Sequence, residues 1–242
     1  MNFSIEITKK TDLSNLPKVK DVYITMLPGD DFRDVVAKAK ELVQFGSNPI
    51  PHFPARSIKN KDELKEYVYT CKDLGVKQAL VIGGSTQPVG DFHSSLQLLE
   101  TGFFEGLKIG IAGHPDGSPD ISDSDLEKAM NDKKPFADYI VTQWLLDSQS
   151  IAKFISKQTL PVHVGITGPL KITSLLKFAS IVGAKNSLNF LKSNATKAVD
   201  LLKPKDPNEL IESLKSTTEN FHIYTFGGLK ETNKWLEKNN YA

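Results

Sequence analysis

Cysteine is nearly absent: of 242 residues, only Cys71 carries a thiol. One thiol excludes an intrachain disulfide and any multi-thiolate metal centre. It sits in KDELKEYVYTCKDLG, whose helical pattern makes it a buried structural thiol rather than a nucleophile. Long apolar runs are missing as well. No stretch approaches the ~20 residues needed to span a bilayer. The N-terminus has no basic segment followed by an apolar one, so no secretory leader is expected and the cytoplasm is the natural location. An excess of one charge sign is also lacking. A formal net charge of +1 creates no global field for nucleic acid or an anionic membrane surface. Internal repeats, low-complexity tracts and linkers are absent. The remainder is ordinary for a globular protein, with 39% hydrophobic and 24% charged residues.

What is present is an eightfold rhythm. Short β-branched runs recur as FSIEIT, VYITM, NPIPHF, QALVIGGS, KIGIAGH, YIVTQW, PVHVGIT and FHIYTF. Amphipathic helical segments separate nearly all of them. Strand and helix in alternation, eight times over, predict an α/β protein of the (β/α)8 TIM-barrel type. The length matches the ~250 residues of one such barrel, so a single domain over 1–242 is expected. In that fold the C-terminal strand ends share one mouth, which is an enzyme's layout.

The helices carry their own signals. DFRDVVAKAKELVQFG opens on acids and closes on Gly46, and KDELKEYVYTCKDLG ends likewise on Gly75. The first crossover, KKTDLSNLPKVK, has room for only one or two helical turns. The stretch from Lys185 to Thr217 is too long for one crossover and reads as two extra helices between strands seven and eight, SLNFLKSNATKAVDLL and DPNELIESLKS.

Several residues at the strand ends have side chains that could do chemistry. Glu6 alternates with Ile5 and Ile7, so either it or they face into the barrel. An inward carboxylate would have a raised pKa and suit a general acid; an outward one would pair with a helix lysine. His52, between prolines, is either an aimed side chain or a satisfied structural histidine. Arg56 would contact an anion or cap a loop. The Gly83–Gly84–Ser85 turn allows close backbone approach by a phosphate, or is an ordinary loop. His114 opens the loop HPDGSPD, but with Asp116 and Asp120 it fits no standard ligand spacing, and no metal is expected. Asp125 reads as a first-turn helix acid. Gln143, among aliphatics and Trp144, would hydrogen-bond either a flat heterocycle or backbone groups. Asp147 looks like a helix N-cap.

Together these residues resemble the methylenetetrahydrofolate reductase family. The likeness is carried by Glu6 in the first strand, Thr25 before LPGDD, Pro51 with His52, TQWLLD with Gln143 and Asp147, and FHIYT from Phe221 to Thr225. The resemblance implies a cytoplasmic flavoprotein of one-carbon metabolism. It would be an oxidoreductase interconverting 5,10-methylenetetrahydrofolate and 5-methyltetrahydrofolate by hydride transfer, with FAD at the mouth and NADH or NADPH as co-substrate. Glu6 would be the general acid, Gln143 the pterin ligand and Tyr224 a further substrate contact. Thr25, His52, Gly83, Gly84, Ser85, His114, Asp125 and Lys133 would line the flavin. Partners would be a tetrahydrofolate derivative and NAD(P)H, with neither nucleic acid nor membrane; barrels of this kind commonly associate, so a homo-oligomer is compatible. The family's Arg-Gly-Asp at the fourth strand end is replaced here by Gly83, Gly84 and Ser85, which would weaken pyrophosphate binding and suggests a branch working in one-carbon catabolism. Two alternatives share the barrel: a flavin-free folate enzyme, such as a methyl-transfer or demethylation partner, and a non-catalytic folate-binding protein.

Overall fold

Eight parallel strands close on themselves in the computed structural model, which describes residues 1–84, 87–118, 121–171, 173–175 and 204–241. They are β1 (Asn2–Thr8), β2 (Asp21–Thr25), β3 (Asn48–Pro54), β4 (Gln78–Ile82), β5 (Lys108–Gly113), β6 (Tyr139–Trp144), β7 (Val162–Thr167) and β10 (Asn220–Tyr224). Each pairs with its sequence neighbour, and β1 closes the ring by pairing with β10 as well as β2. A two-residue antiparallel ribbon, β8 (Leu170–Lys171) with β9 (Pro204–Lys205), lies outside the barrel. All eight strands fall on the β-branched runs, and the fold is the expected (β/α)8 barrel.

The helices start and stop on local chemistry. In α1 (Phe32–Phe45) the Asp31 carboxylate accepts from Arg33 N, and Gly46 at φ 88° ends the helix in the left-handed region that glycine tolerates. In α2 (Lys61–Asp73) Asn60 is the cap, and Cys71 is fully buried with its thiol pushed up to about 12 by burial. A five-residue helix, α3 (Ser95–Leu99), was not expected; the Gln97 side chain accepts from Ser94 N to start it. Next come α4 (Asp123–Lys133), capped by Ser122, and α5 (Ser148–Ile155), whose cap is Asp147 as expected. The short first crossover is a single 3-10 turn, Leu13–Asn15. Of the two extra helices, DPNELIESLKS is present as Asn208–Leu214, and SLNFLKSNATKAVDLL lies outside the described residues. Helix Leu229–Lys238 completes the outer ring. Among the described residues no helix is long and apolar enough to cross a membrane.

Strand alternation sorts side chains into two cores. Ile5, Ile7, Val22, Ile24, Ile111 and Ile223 pack outward against the helices. Tyr23, Ile50, Leu80, Tyr139 and Val141 form a separate inner cluster. Tyr139 is its centre. Its hydroxyl receives a bond from the Tyr23 hydroxyl at 3.2 Å, its ring stacks on His163 at 4.6 Å, and Lys108 Nζ lies 5.2 Å from the ring centre. Gly110 makes room for it: a Cβ there would lie 2.6 Å from the ring. This aromatic plug fills the barrel interior, with Ile82 packed against it, and toward the C-terminal strand ends Glu6, His52 and His222 bring polar groups inward.

Candidate functional site

Because Ile5 and Ile7 are taken by the outer core, Glu6 faces inward. It retains 18% side-chain exposure at the mouth. Two histidines converge on one of its oxygens: His222 Nε2 lies 3.4 Å from Oε2 and His52 Nε2 3.5 Å from it. His222 is fully buried and anchored from behind, its Nδ1 lying 3.0 Å from the Ser4 hydroxyl. Nε2 faces the Glu6 carboxylate, to which it can only donate, while the Ser4 hydroxyl meets Nδ1 from behind and also lies 3.5 Å from Phe221 O. The Tyr23 ring holds His222 in place edge-on at 4.4 Å.

Electrostatics then set the charge states. Burial is the largest influence on Glu6 and raises its pKa. The hydrogen bond from His222, the charge interactions with His52 and His222, and a hydrogen bond from Thr25 together outweigh it, so Glu6 sits below its ordinary value. The expectation of a raised pKa, and with it the general-acid role, is corrected: near neutral pH Glu6 is a carboxylate. His52 is driven down to about 4, chiefly by burial, and is neutral at pH 7. Both of its ring nitrogens are buried without a hydrogen-bond partner among the described residues.

Across the mouth, Gln143 meets the sequence-predicted His114: the two side chains approach at 3.1 Å, His114 Nδ1 to Gln143 Oε1. Burial lowers the His114 pKa; the hydrogen bond to Gln143 opposes this, and the charge of Lys133 adds to the lowering. Gln143 owes its aim to a bulge. The β6–β7 register slips between Val141 and Trp144, so that three steps on β6 oppose two on β7. Thr142 holds the bulge: its hydroxyl accepts from Gly165 N at 2.8 Å and donates to Gln143 O at 2.8 Å, while Tyr224 donates its hydroxyl to Thr142 O at 2.9 Å. Only glycine fits opposite, since a Cβ on Gly165 would lie 2.4 Å from Thr142 O. Gly165→Ala is therefore expected to cost about 1–3 kcal/mol by overpacking. Gly83→Ala, at a position with nothing within 4 Å, should be near neutral. Equal melting temperatures for the two variants would contradict this account of the bulge.

The remaining predicted residues are dispersed. Arg56 caps the fourth strand's loop, donating from Nε to His93 O at 3.1 Å and from Nη1 to Gly84 O at 3.3 Å, while its backbone N–H donates to Gly83 O. Gly84 adopts φ 89°, and Ser85 lies outside the described residues. Asp125 is exposed in the first turn of α4, where its carboxylate accepts from the Ser122 hydroxyl at 2.6 Å. Lys133 ends α4, half-buried and with a lowered pKa from desolvation. Among the described residues, no cluster of three or more His, Cys, Asp or Glu side chains is arranged to hold a metal ion.

The fold has solved counterparts. Oxaloacetate acetylhydrolase in complex with the inhibitor 3,3-difluorooxalacetate superposes with a TM-score of 0.59 at 10% identity, covering 100% of this chain and 80% of that one. 2,3-Dimethylmalate lyase, a PEP mutase/isocitrate lyase superfamily member, gives 0.59 at 8% identity, over 99% and 83%. The tryptophan synthase complex from Pyrococcus furiosus gives 0.55 at 12% identity, over 98% and 95%. No family model matches the chain. Identity this low establishes the barrel alone.

These neighbours are not methylenetetrahydrofolate reductases, and they overturn that resemblance. The flavin-dependent folate oxidoreductase drawn from it falls too, and the flavin-free folate alternative gains no support. FAD and NAD(P)H had been expected from that resemblance only. The physical reason is that much of the matching strings is occupied in building the barrel. Thr142 ties the bulge, Asp147 caps α5, the Tyr224 hydroxyl is spent on Thr142 O, and His222 braces Glu6. Any barrel with these construction needs can carry such short strings. Ser4, His222 and Gly165 were missed as contributors to the site. Ser4 and His222 each stand two residues before a noticed side chain, on the same strand face, and a lone glycine inside PVHVGIT is a bulge signal.

Proposed function

We propose that this protein is a barrel enzyme of the lyase or isomerase type that removes a proton from carbon next to a carbonyl group. The observation that carries the reading is Glu6: an inward carboxylate at the mouth, ionised near neutral pH, held by His222 and approached to 3.5 Å by His52. In the first step the substrate C–H bond breaks, its proton goes to Glu6, and the electron pair moves into an enolate. His52, neutral and with unpartnered nitrogens, donates a hydrogen bond to the developing enolate oxygen; a neutral imidazole is a suitable electrophile for that task. His222, fastened to Ser4, keeps the carboxylate in place. Reprotonation then gives exchange or isomerisation, and loss of a leaving group gives elimination. A single buried thiol suits a reducing compartment, and we place the protein in the cytoplasm.

The test is deuterium wash-in. Small 2-oxo and hydroxy acids, including oxaloacetate and malate-type compounds in view of the names of two similar folds, are incubated with the protein in D2O and followed by proton NMR. Exchange of the hydrogen next to the carbonyl, above the buffer rate, supports the reading. A panel in which no compound exchanges faster than in buffer would sink it.

A further inference from the structure

Buried polar side-chain atoms without a partner are few in folded proteins, because each forfeits its hydration for nothing in return. Among the described residues five occur, and four of them belong to His52, Gln143 and Trp144 at the C-terminal ends of β3 and β6. His52 is accounted for by the chemistry above. Gln143 Nε2 and Trp144 Nε1 are not, and they are donors on consecutive residues.

The bulge brings them to the same end of the barrel. The register slip between Val141 and Trp144 sets Trp144 opposite Gly165, an inward position of β7, just after Gln143. Trp144 is 1% exposed and meets Phe226 edge-on at 6.2 Å; Phe226 stacks on Tyr224, which lies against His222. The indole is thus linked by ring contacts to the histidine that braces Glu6. Gln143 has its oxygen committed to His114, so only its N–H groups remain to offer.

We propose that Gln143 Nε2 and Trp144 Nε1 form a subsite for a carboxylate, each donor taking one oxygen, and that the substrate of the reaction above is a small carboxylic acid anchored there. The inference rests on that reading of the mouth. Two neutral donors suit a monoanionic, planar group. A phosphate, with more charge and three oxygens to satisfy, is ordinarily met by arginine, lysine or a helix N-terminus. Here Arg56 is occupied by carbonyls, the first turn of α4 carries Asp123 and Asp125, and Lys133, whose charge reaches His114, has that charge disfavoured by its own burial.

The chain has two tryptophans, which makes the test direct. Trp235 Nε1 already donates toward Asp206 and Asn208 at 3.2 Å, whereas Trp144 Nε1 is free. Malonate is titrated into 15N-labelled protein while the two indole N–H signals are followed, with Trp235→Phe for assignment and malonamide and inorganic phosphate as comparisons. The expected result is a saturable downfield shift of the Trp144 signal with malonate and none with malonamide. Folded Gln143→Leu and Trp144→Phe variants, checked by thermal melting, should bind malonate at least tenfold more weakly by calorimetry. No response to malonate, or an equal response to phosphate or malonamide, would overturn the subsite. Malonate binding without any deuterium wash-in would sink the proposed reaction and leave the subsite standing; wash-in without malonate binding would do the reverse.

Discussion

Replacing Glu6 with glutamine is expected to reduce deuterium wash-in by about 10²–10⁴-fold, the usual contribution of a positioned general base. Glutamine keeps the size and a hydrogen-bonding oxygen for His222 and Thr25, so the fold should survive, yet it cannot accept the substrate proton. His222→Phe should fall short of that loss, because it removes only the brace behind the carboxylate and leaves the base in place. Rates are measured by NMR on the substrate that exchanges fastest. An E6Q rate within a few-fold of the parent protein would contradict the assignment of Glu6 as the base.

Acid should destabilise the protein well above the pH at which carboxylates ordinarily titrate. His52 falls from 6.5 to about 4, and His163, stacked on Tyr139, also falls to about 4, in both cases chiefly through burial. Between these values the unfolded chain binds protons that the folded chain refuses, so stability drops as pH falls through the window from 6.5 to 4. For the fully buried His52 this amounts to roughly 3 kcal/mol. His163 adds in the same direction, by less because its ring is partly exposed. Glu6 acts with the same sign at lower pH: its folded pKa is depressed, so its contribution is present above its ordinary value and is lost as pH falls through the folded one. Urea unfolding at pH 7.5, 6 and 4.5 reads the effect, and His52→Leu should flatten it. A stability that stays level down to pH 4.5 would contradict the burial of neutral histidines.

The sequence announced the barrel because the eight strands are β-branched and the helices begin and end on capping residues, and those signals are local. The site was partly legible for the same reason: Glu6, His52, His114 and Gln143 all stand at strand ends, and alternation alone narrows where they point. Two things were hidden. The charge state of Glu6 depends on His222, Thr25 and His52, which lie on three other strands, so inward placement suggested a raised pKa where the neighbours impose a lowered one. The second was the bulge. Thr142 is unremarkable in its own strand and Gly165 is no more than a local hint of a bulge; only their pairing sets the register slip that brings Trp144 opposite Gly165 directly after Gln143. Short strings such as TQWLLD and FHIYT record that construction as readily as they record chemistry, which is why the folate assignment did not follow from them.

The account turns on an inward carboxylate that stays charged although it is buried. Carbon-13 NMR of the Glu6 side-chain carboxyl, assigned with Glu6→Gln and followed from pH 8 to pH 2.5, measures this directly. The result predicted is a titration below the ordinary glutamate value, moving upward in His222→Phe as the largest favourable contact is removed. A Glu6 carboxyl that takes up its proton near pH 6 or above, unchanged by loss of His222, would contradict the account.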